Sequence, residues 1–212
     1  MWLPNVLPPK YELQSLTKKK ETNNRENKYI FLSVGNLLPV KGHEFVIRAF
    51  ALIVQKYTNS MLRLVGDGPL KNELEVLAKK LNIEDKVVFT GEVDSDSVRK
   101  EMLNADVFVF PSRSETFGVA LIEAMSCGLP VVSTACGGPE EIVDDNTGIL
   151  VEPENVGALQ IGMEWAIVNV NTMDPQKIRE NVIKRFGSKQ FLYNIENIYE
   201  IVFHQNKLQR VN

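Results

Sequence analysis

The chain has 212 residues, with 24 Lys and Arg against 27 Asp and Glu, and a formal net charge of −3. Its hydrophobic fraction of 44% is that of a globular protein, which excludes a wholly disordered or fibrous chain. A slightly acidic chain has no net positive field to attract a phosphate backbone, so nucleic acid is not an expected partner. The length allows one large domain or two small ones.

The sequence contains no signal for metal binding, membrane insertion or secretion. Cys127 and Cys136 lie beside apolar residues and form no Cys/His cluster, so no zinc site is recognisable. The longest apolar stretches are far shorter than the ~20 residues of a membrane helix, and the N-terminus lacks the features of a secretory signal. These features favour a reducing, cytoplasmic location.

Residues 1–28 differ in composition from the rest of the chain. Prolines stiffen the beginning, and residues 17–28 are almost entirely polar or charged. Because such a segment buries little apolar surface, we predict a linker or edge piece here, with Trp2 and Leu3 as its only obvious anchors.

From Tyr29 onward, β-rich runs alternate with helical patterns. The predicted strands are 29–34, 61–65, 87–89, 107–110, 130–133 and 148–151. The predicted helices are 45–53, 70–81, 97–103, 117–126, 156–168, 175–186 and 189–203. Strands that alternate with helices imply right-handed crossovers and a parallel sheet that is covered on both faces. The predicted fold is therefore α/β, a Rossmann-like parallel sheet of about six strands.

Glycine follows four of the first five predicted strands within a few residues, at Gly35, Gly66, Gly91 and Gly137. Parallel sheets bind ligands outside the carboxyl ends of their strands, and glycine lets backbone approach a ligand closely. Glycine also commonly ends strands without any ligand, so both interpretations stay open at this point.

The common nucleotide and esterase motifs do not fit. Gly66-Asp67-Gly68 supplies only two glycines of a dinucleotide fingerprint, since Lys71 occupies the third position. The tripeptide G-K-[ST] and the elbow G-x-S-x-G are absent, which excludes a P-loop and the usual serine esterase.

Two carboxylates follow the fourth predicted strand. Glu115 precedes the predicted helix 117–126, and Glu123 lies within it among apolar residues. Residues eight apart in a helix are separated by about 12 Å. This disfavours the pair of an ordinary glycoside hydrolase, whose carboxylates are ~5–9.5 Å apart, although a bent loop would shorten the separation. Two separated carboxylates suit a long polyhydroxylated ligand.

The start of the same predicted helix offers the backbone amides of Phe117, Gly118 and Val119 to phosphate or sugar oxygens. The alternative is that Glu115 only complements the helix dipole and that Glu123 lies on a solvated stripe.

Lys41 lies at the start of the first predicted helix, beside the carboxyl edge of the first strand. A cation at this position can contact a phosphate group, although an exposed lysine without a ligand is the alternative. The two histidines, His43 and His204, are assigned no role, and His43 can equally be a surface residue.

In order and spacing, these segments resemble the C-terminal half of a GT-B fold glycosyltransferase. The resemblance is to the large retaining family of bacterial hexosyltransferases called group 1, or family four, and runs from about Tyr29 to Cys136, with weaker likeness to the end. Its elements are Val34-Gly35-Asn36, Pro39-Val40-Lys41-Gly42, Val65–Pro69, Val88–Val93, Glu115 with Glu123, and Pro130–Glu140.

The resemblance implies a nucleoside-diphosphate sugar, such as a UDP- or GDP-sugar, as the donor, with no cofactor and no essential metal. Lys41 would contact the diphosphate and Glu115 the transferred sugar, which makes them the implied catalytic residues. Glu123 would bind the ribose hydroxyls, and the backbone near Val93 the base. The whole implied donor site is Gly35, Asn36, Lys41, Val93, Glu115, Phe117, Gly118, Val119 and Glu123.

One position departs from the family pattern. Family members commonly have Arg where this chain has Asn36. Because Asn carries no charge, the clamp on the diphosphate would be weaker or completed by another residue.

The resemblance also implies a division of the chain. Leu3–Pro8 resembles an interdomain linker, so we predict a linker over 1–28, the donor domain over 29–186, and over 187–212 a C-terminal helix that packs toward an absent N-terminal domain. That domain would bind the acceptor, a sugar or lipid-linked glycan, and membrane association would arise only through the full-length protein.

The predicted function is the donor-binding domain of a retaining glycosyltransferase, a hexosyltransferase in which the isolated fragment carries out no transfer. The alternatives are a non-catalytic, regulatory module that binds nucleotide sugars, and a GT-B fold sugar-nucleotide epimerase.

Overall fold

The computed structural model describes residues 5–13, 16 and 28–209. The strands are β1 Ile30–Val34, β2 Met61–Val65, β3 Val87–Gly91, β4 Val107–Phe110, β5 Val131–Thr134 and β6 Gly148–Val151. The helices are α1 Pro9–Leu13, α2 His43–Lys56, α3 Lys71–Lys80, α4 Ser95–Asn104, α5 Val119–Ser126, α6 Pro139–Ile142, α7 Val156–Asn169, α8 Pro175–Phe186 and α9 Ser188–Gln209. In this part of the chain no helix is both long and apolar enough to cross a bilayer.

The six strands form one parallel sheet in the order β3-β2-β1-β4-β5-β6. Helices α2, α3 and α7 pack on one face, and α1, α4, α5 and α8 on the other. The predicted α/β fold with six strands is therefore confirmed. The strand order reverses between β1 and β4, and the crevice at the carboxyl ends of these two strands is where a sheet of this type binds its ligands.

Local sequence explains the elements around this crevice. Every residue of β4 and β5 is buried, as is usual for central strands that are covered on both faces. On α2, buried residues recur with helical spacing at Val46, Phe50 and Ile53. Asp94 caps α4 by accepting hydrogen bonds from the amides of Asp96 and Ser97.

The segment before β1 packs against the domain. Leu7 and Tyr11 are 0% and 1% exposed and belong to the same core cluster as the buried side of α5. The expectation that residues 1–28 bury little apolar surface is wrong at these two positions, because sparse apolar residues among prolines and charges gave no periodic pattern. Trp2 and Leu3 lie outside the described residues. The division into linker, donor domain and C-terminal helix stays a prediction.

A buried arginine joins α1 to α5. Arg179, on α8, is 7% exposed and donates hydrogen bonds to the carbonyl groups of Tyr11 and Glu12, each at 2.8 Å, and to that of Ser126. The Glu12 carboxylate in turn accepts bonds from the amide and hydroxyl of Ser188 at 2.7 and 2.8 Å. One guanidinium group therefore connects the start of the described chain with the last residue of α5.

Arg179→Met should lower the free energy of unfolding by about 3–5 kcal/mol, because it leaves buried carbonyl groups without their donor. Urea denaturation measures the change, and Arg48→Met on the exposed side of α2 serves as the control. Equal denaturation midpoints for the two variants would show that Arg179 does not hold α1 in place.

Candidate active site

The loop between β1 and α2 is held against the loop after β4. The amide of Arg113 donates a hydrogen bond to the carbonyl of Val40 at 2.8 Å. A Cβ atom at Gly42 would lie 2.0 Å from the carbonyl oxygen of Pro111, and Gly42 has a φ of +66°, so a side chain is excluded on both grounds. This close approach places Lys41, the preceding residue, in the crevice.

The loop after β4 is held from the other side by the loop after β5. The amide of Glu115 donates to the carbonyl of Cys136 at 3.0 Å, and the amide of Gly138 donates to the carbonyl of Glu115 at 2.8 Å. A Cβ atom at Gly138 would lie 2.3 Å from the Cα of Phe117. The Phe117 ring is buried edge-to-face against Phe186, with centroids 5.6 Å apart. Sequence reasoning did not predict that the loop after β5 packs on Glu115 and Phe117, although the Gly137-Gly138 doublet is a signal of such close backbone contact.

Lys41 and Glu115 meet between these loops. The Nζ of Lys41 lies 2.6 Å from Oε2 of Glu115, and the two side chains are only 28% and 17% exposed. The ammonium group also lies 5.8 Å from the centroid of the Phe110 ring. Lys41 is therefore not a freely solvated surface lysine, and the two implied catalytic residues are in direct contact.

The other implied residues of the β1 loop differ in their surroundings. A Cβ atom at Gly35 would lie 3.9 Å from the Lys41 side chain, so this glycine borders the ion pair. Asn36 is exposed beside it.

Helix α5 begins two residues later than predicted. Gly118 is its N-cap, with a φ of +105°, and Val119 is the first helical residue. A left-handed residue cannot continue a right-handed helix, so Phe117 precedes the cap and the first helical amide is that of Val119. The roles implied for these amides stay a prediction.

Glu123 lies on α5 away from the ion pair. Its side chain is half-buried, which argues against a fully solvated stripe. Burial raises the pKa of this carboxyl group, and the positive charge of Lys10 opposes the increase. Val93, in the loop between β3 and α4, packs against the same core cluster as α5. Glu123 and Val93 are therefore on the α4 and α5 side of the crevice.

His43 is a buried residue, not a surface residue. It is 2% exposed, and its Cε1 lies 3.9 Å from the position of a Cβ at Gly35. Burial and, to a smaller extent, the charge of Lys41 lower the pKa of His43 to about 4. The imidazole is therefore neutral at pH 7. The side chain of His204 lies outside the described residues.

The arrangement suits an elongated anion with hydroxyl groups. Lys41 and the N-terminus of α5 supply local positive potential, and Glu115 and Glu123 supply hydrogen-bond acceptors. In the ranges 5–13, 16 and 28–209, no three His, Cys, Asp or Glu side chains are grouped to hold a metal ion.

Gly138→Ala should destabilise the protein by about 1–3 kcal/mol, because its new methyl group would overlap the Phe117 backbone. The matched control is Gly157→Ala on α7, where the nearest atom is 3.5 Å away and alanine favours the helix. Urea denaturation compares the two. If Gly138→Ala were as stable as the control, the loops would not be in the described contact.

Because of His43 alone, the free energy of unfolding should decrease by up to about 3 kcal/mol as the pH is lowered from 6.5 to 4. In this range the unfolded state binds a proton at His43 that the folded state excludes, so the contribution is complete above pH 6.5 and is lost as the pH decreases. His43→Gln should remove this part of the pH dependence. Denaturation curves at several pH values test it, and an unchanged pH profile in His43→Gln would contradict it.

One known protein family matches most of the chain. The family described as glycosyl transferases group 1 matches residues 14–185. A curated relative, the N-acetyl-alpha-D-glucosaminyl L-malate synthase of Bacillus anthracis, is 35% identical over 195 residues, which are 89% of this chain and 50% of that protein. The chain thus spans about half the length of the curated relatives it matches.

Solved structures agree in fold. HepE of Anabaena, crystallised with UDP, has a TM-score of 0.73 and 26% identity over 82% of this chain and 49% of its own. The C-terminal domain of a group 1 glycosyl transferase from Francisella tularensis has a TM-score of 0.69 and 24% identity, and covers 76% of this chain and 87% of its own.

With its parallel six-stranded sheet and this crevice, the chain belongs to the group 1 glycosyl transferases and has the Rossmann-like fold of their C-terminal domain.

Proposed function

We propose that this chain is the donor-binding domain of a retaining glycosyltransferase, which transfers a hexose from a nucleoside-diphosphate sugar to an acceptor. The observation that carries the proposal is the half-buried ion pair between Lys41 and Glu115 at the carboxyl edge of the sheet. The related HepE, which was solved with UDP, supports a nucleotide ligand of this type.

Donor binding would exchange the partners of the ion pair. To Lys41, the diphosphate would present oxygens that together carry more negative charge than one carboxylate. To Glu115, the sugar would present hydroxyl groups that donate hydrogen bonds. Each charged group then keeps a hydrogen-bonded partner, which avoids the large cost of an unpaired half-buried charge. Gly35 and Asn36 would line the same end of the donor site.

The rest of the donor would lie along α5. The amides at Gly118 and Val119, next to Phe117, would receive phosphate or sugar oxygens at the positive end of the helix dipole. Glu123 would accept the ribose hydroxyls, and the backbone at Val93 would contact the base. A nucleoside-diphosphate sugar fits this arrangement because its central diphosphate would contact Lys41. Its sugar and its nucleoside, at the two ends, would contact the carboxylates and the backbone.

In the transfer step, the glycosidic bond to the diphosphate breaks and negative charge grows on the leaving oxygen. Lys41 and the start of α5 would stabilise that charge, and stabilisation of this kind is usually the largest contribution of an enzyme to such a step. Retention would follow if the acceptor oxygen forms its bond to the anomeric carbon on the face that the diphosphate leaves, while the hydroxyl proton passes to the departing phosphate oxygen. The acceptor, a sugar or lipid-linked glycan, would be bound mainly by a domain outside these 212 residues, in the cytoplasm.

Asn36 favours one second candidate, a module that binds nucleotide sugars without transferring them. Its uncharged amide is exposed where family members commonly carry arginine, and Arg113 in the neighbouring loop is engaged by Glu44 at 2.6 Å and Glu154 at 3.4 Å. A weaker clamp would reduce leaving-group stabilisation more than ground-state binding.

Calorimetry with UDP-, GDP- and ADP-sugars should reveal one donor that binds the wild-type chain. Lys41→Met should weaken that binding about 10- to 100-fold, because it removes a charged hydrogen bond worth about 1.5–3 kcal/mol. Lys177→Met, an exposed lysine of α8, is the charge-matched control and should bind normally. If no donor binds at millimolar concentration, the proposal and its second candidate both fail.

The two candidates separate in a protein that carries both halves of a GT-B fold. Transfer of the sugar to an acceptor, lost in Lys41→Met, establishes the transferase. Tight donor binding without any transfer or donor hydrolysis establishes the binding module.

A further inference from the structure

Arg113 lies in the loop after β4 and contacts the chain next to Lys41 through its backbone. Its amide donates a hydrogen bond at 2.8 Å to the carbonyl of Val40, the residue before Lys41. Two residues after Arg113, the Glu115 carboxylate meets the Lys41 ammonium group at 2.6 Å. The loop after β4 therefore contacts the backbone that precedes Lys41 as well as its side chain.

The guanidinium group of Arg113 contacts the chain on the other side of Lys41. Its Nη2 donates a hydrogen bond at 2.6 Å to Oε1 of Glu44, in the first turn of α2. Its Cζ lies 5.2 Å from the centroid of the Phe45 ring, within the range of a cation–π interaction. Arg113 thus holds the residue before Lys41 with its backbone and the start of α2 with its side chain.

A third loop contacts the same guanidinium group. The Nε of Arg113 is buried and lies 3.4 Å from Oε2 of Glu154, in the loop between β6 and α7. Two carboxylates and one aromatic ring therefore surround the group, and its charge is balanced within the protein.

We propose that Arg113 is a positioning residue for Lys41, which fixes the loop before α2 so that the ammonium group faces the diphosphate of the donor. The inference rests on the proposed function. It goes beyond that function because it assigns a role to a residue that belongs neither to the ion pair nor to the implied donor site.

The contacts of Arg113 favour positioning over direct binding of a phosphate. To reach a ligand, the guanidinium group would have to leave Glu44, Glu154 and the Phe45 ring together. The side chains of Arg113 and Glu44 are 34% and 40% exposed, and ion pairs as exposed as this one contribute little to stability. Loss of the guanidinium should therefore affect the placement of Lys41 more than global stability.

The test is calorimetric titration with UDP and GDP of a double-mutant cycle that combines Arg113→Met with Lys41→Met. Both changes leave the backbone bond to Val40 in place. Arg113→Met alone should bind the preferred nucleotide about three- to tenfold more weakly than wild type, because a misplaced Lys41 loses part of its contribution. In the Lys41→Met background the same change should weaken binding by less than about twofold, because Arg113 acts through Lys41.

Glu44→Ala removes the 2.6 Å contact from the side of α2 and should weaken binding as Arg113→Met does. It provides the same comparison independently of how well Arg113→Met folds. The matched control is Arg48→Met, an exposed arginine of α2, which should bind as wild type.

Two results would overturn the inference and leave the donor site intact. An equal loss from Arg113→Met with and without Lys41 would mean that the guanidinium group does not act through the lysine. Wild-type affinity in Arg113→Met and Glu44→Ala, with only a lower denaturation midpoint, would mean that the contact is purely structural. If wild type binds neither nucleotide, the inference fails together with the proposed function.

Discussion

The ion pair between Lys41 and Glu115 depends on how closely three loops approach one another at the carboxyl edge of the sheet. Gly42 contacts the carbonyl of Pro111 and Gly138 contacts the backbone of Phe117, at distances that leave no room for a side chain. With side chains at these positions, the loops would separate and the two charges would no longer meet at 2.6 Å. The backbone contacts therefore come first, and the electrostatics of the crevice follows from them.

Net charge says little about such a site. The chain has a formal charge of −3, yet its crevice contains a lysine and a helix N-terminus, which supply local positive potential. His43 adds no positive charge at neutral pH, because burial and, to a smaller extent, the charge of Lys41 lower its pKa to about 4. The local field is therefore set by a few buried groups, and the overall composition sets only solubility and long-range attraction.

Periodic features of the sequence predicted most of the fold and the loops that carry Lys41 and Glu115, but not the contacts that hold these loops together. Six apolar runs gave six strands, and the loops after them gave Lys41 and Glu115. Contacts without a periodic signal were not predictable: Leu7 and Tyr11 lie in a segment rich in prolines, and His43 is a polar residue whose burial no apolar pattern indicates. The start of α5 was placed too early because Gly118 adopts a left-handed conformation, which its neighbours in the sequence do not reveal.

Similar long-range contacts connect the elements of the proposed donor site to the C-terminal helices. Phe186 of α8 packs on Phe117 beside Glu115, and Arg179 of the same helix fixes α1 and the end of α5. Helix α8 thus contacts both the loop that carries Glu115 and the segment that precedes β1. Helix α9 follows α8 after a single residue, Gly187, and its first residue, Ser188, donates two hydrogen bonds to the Glu12 carboxylate, so α9 also begins against the segment that precedes β1.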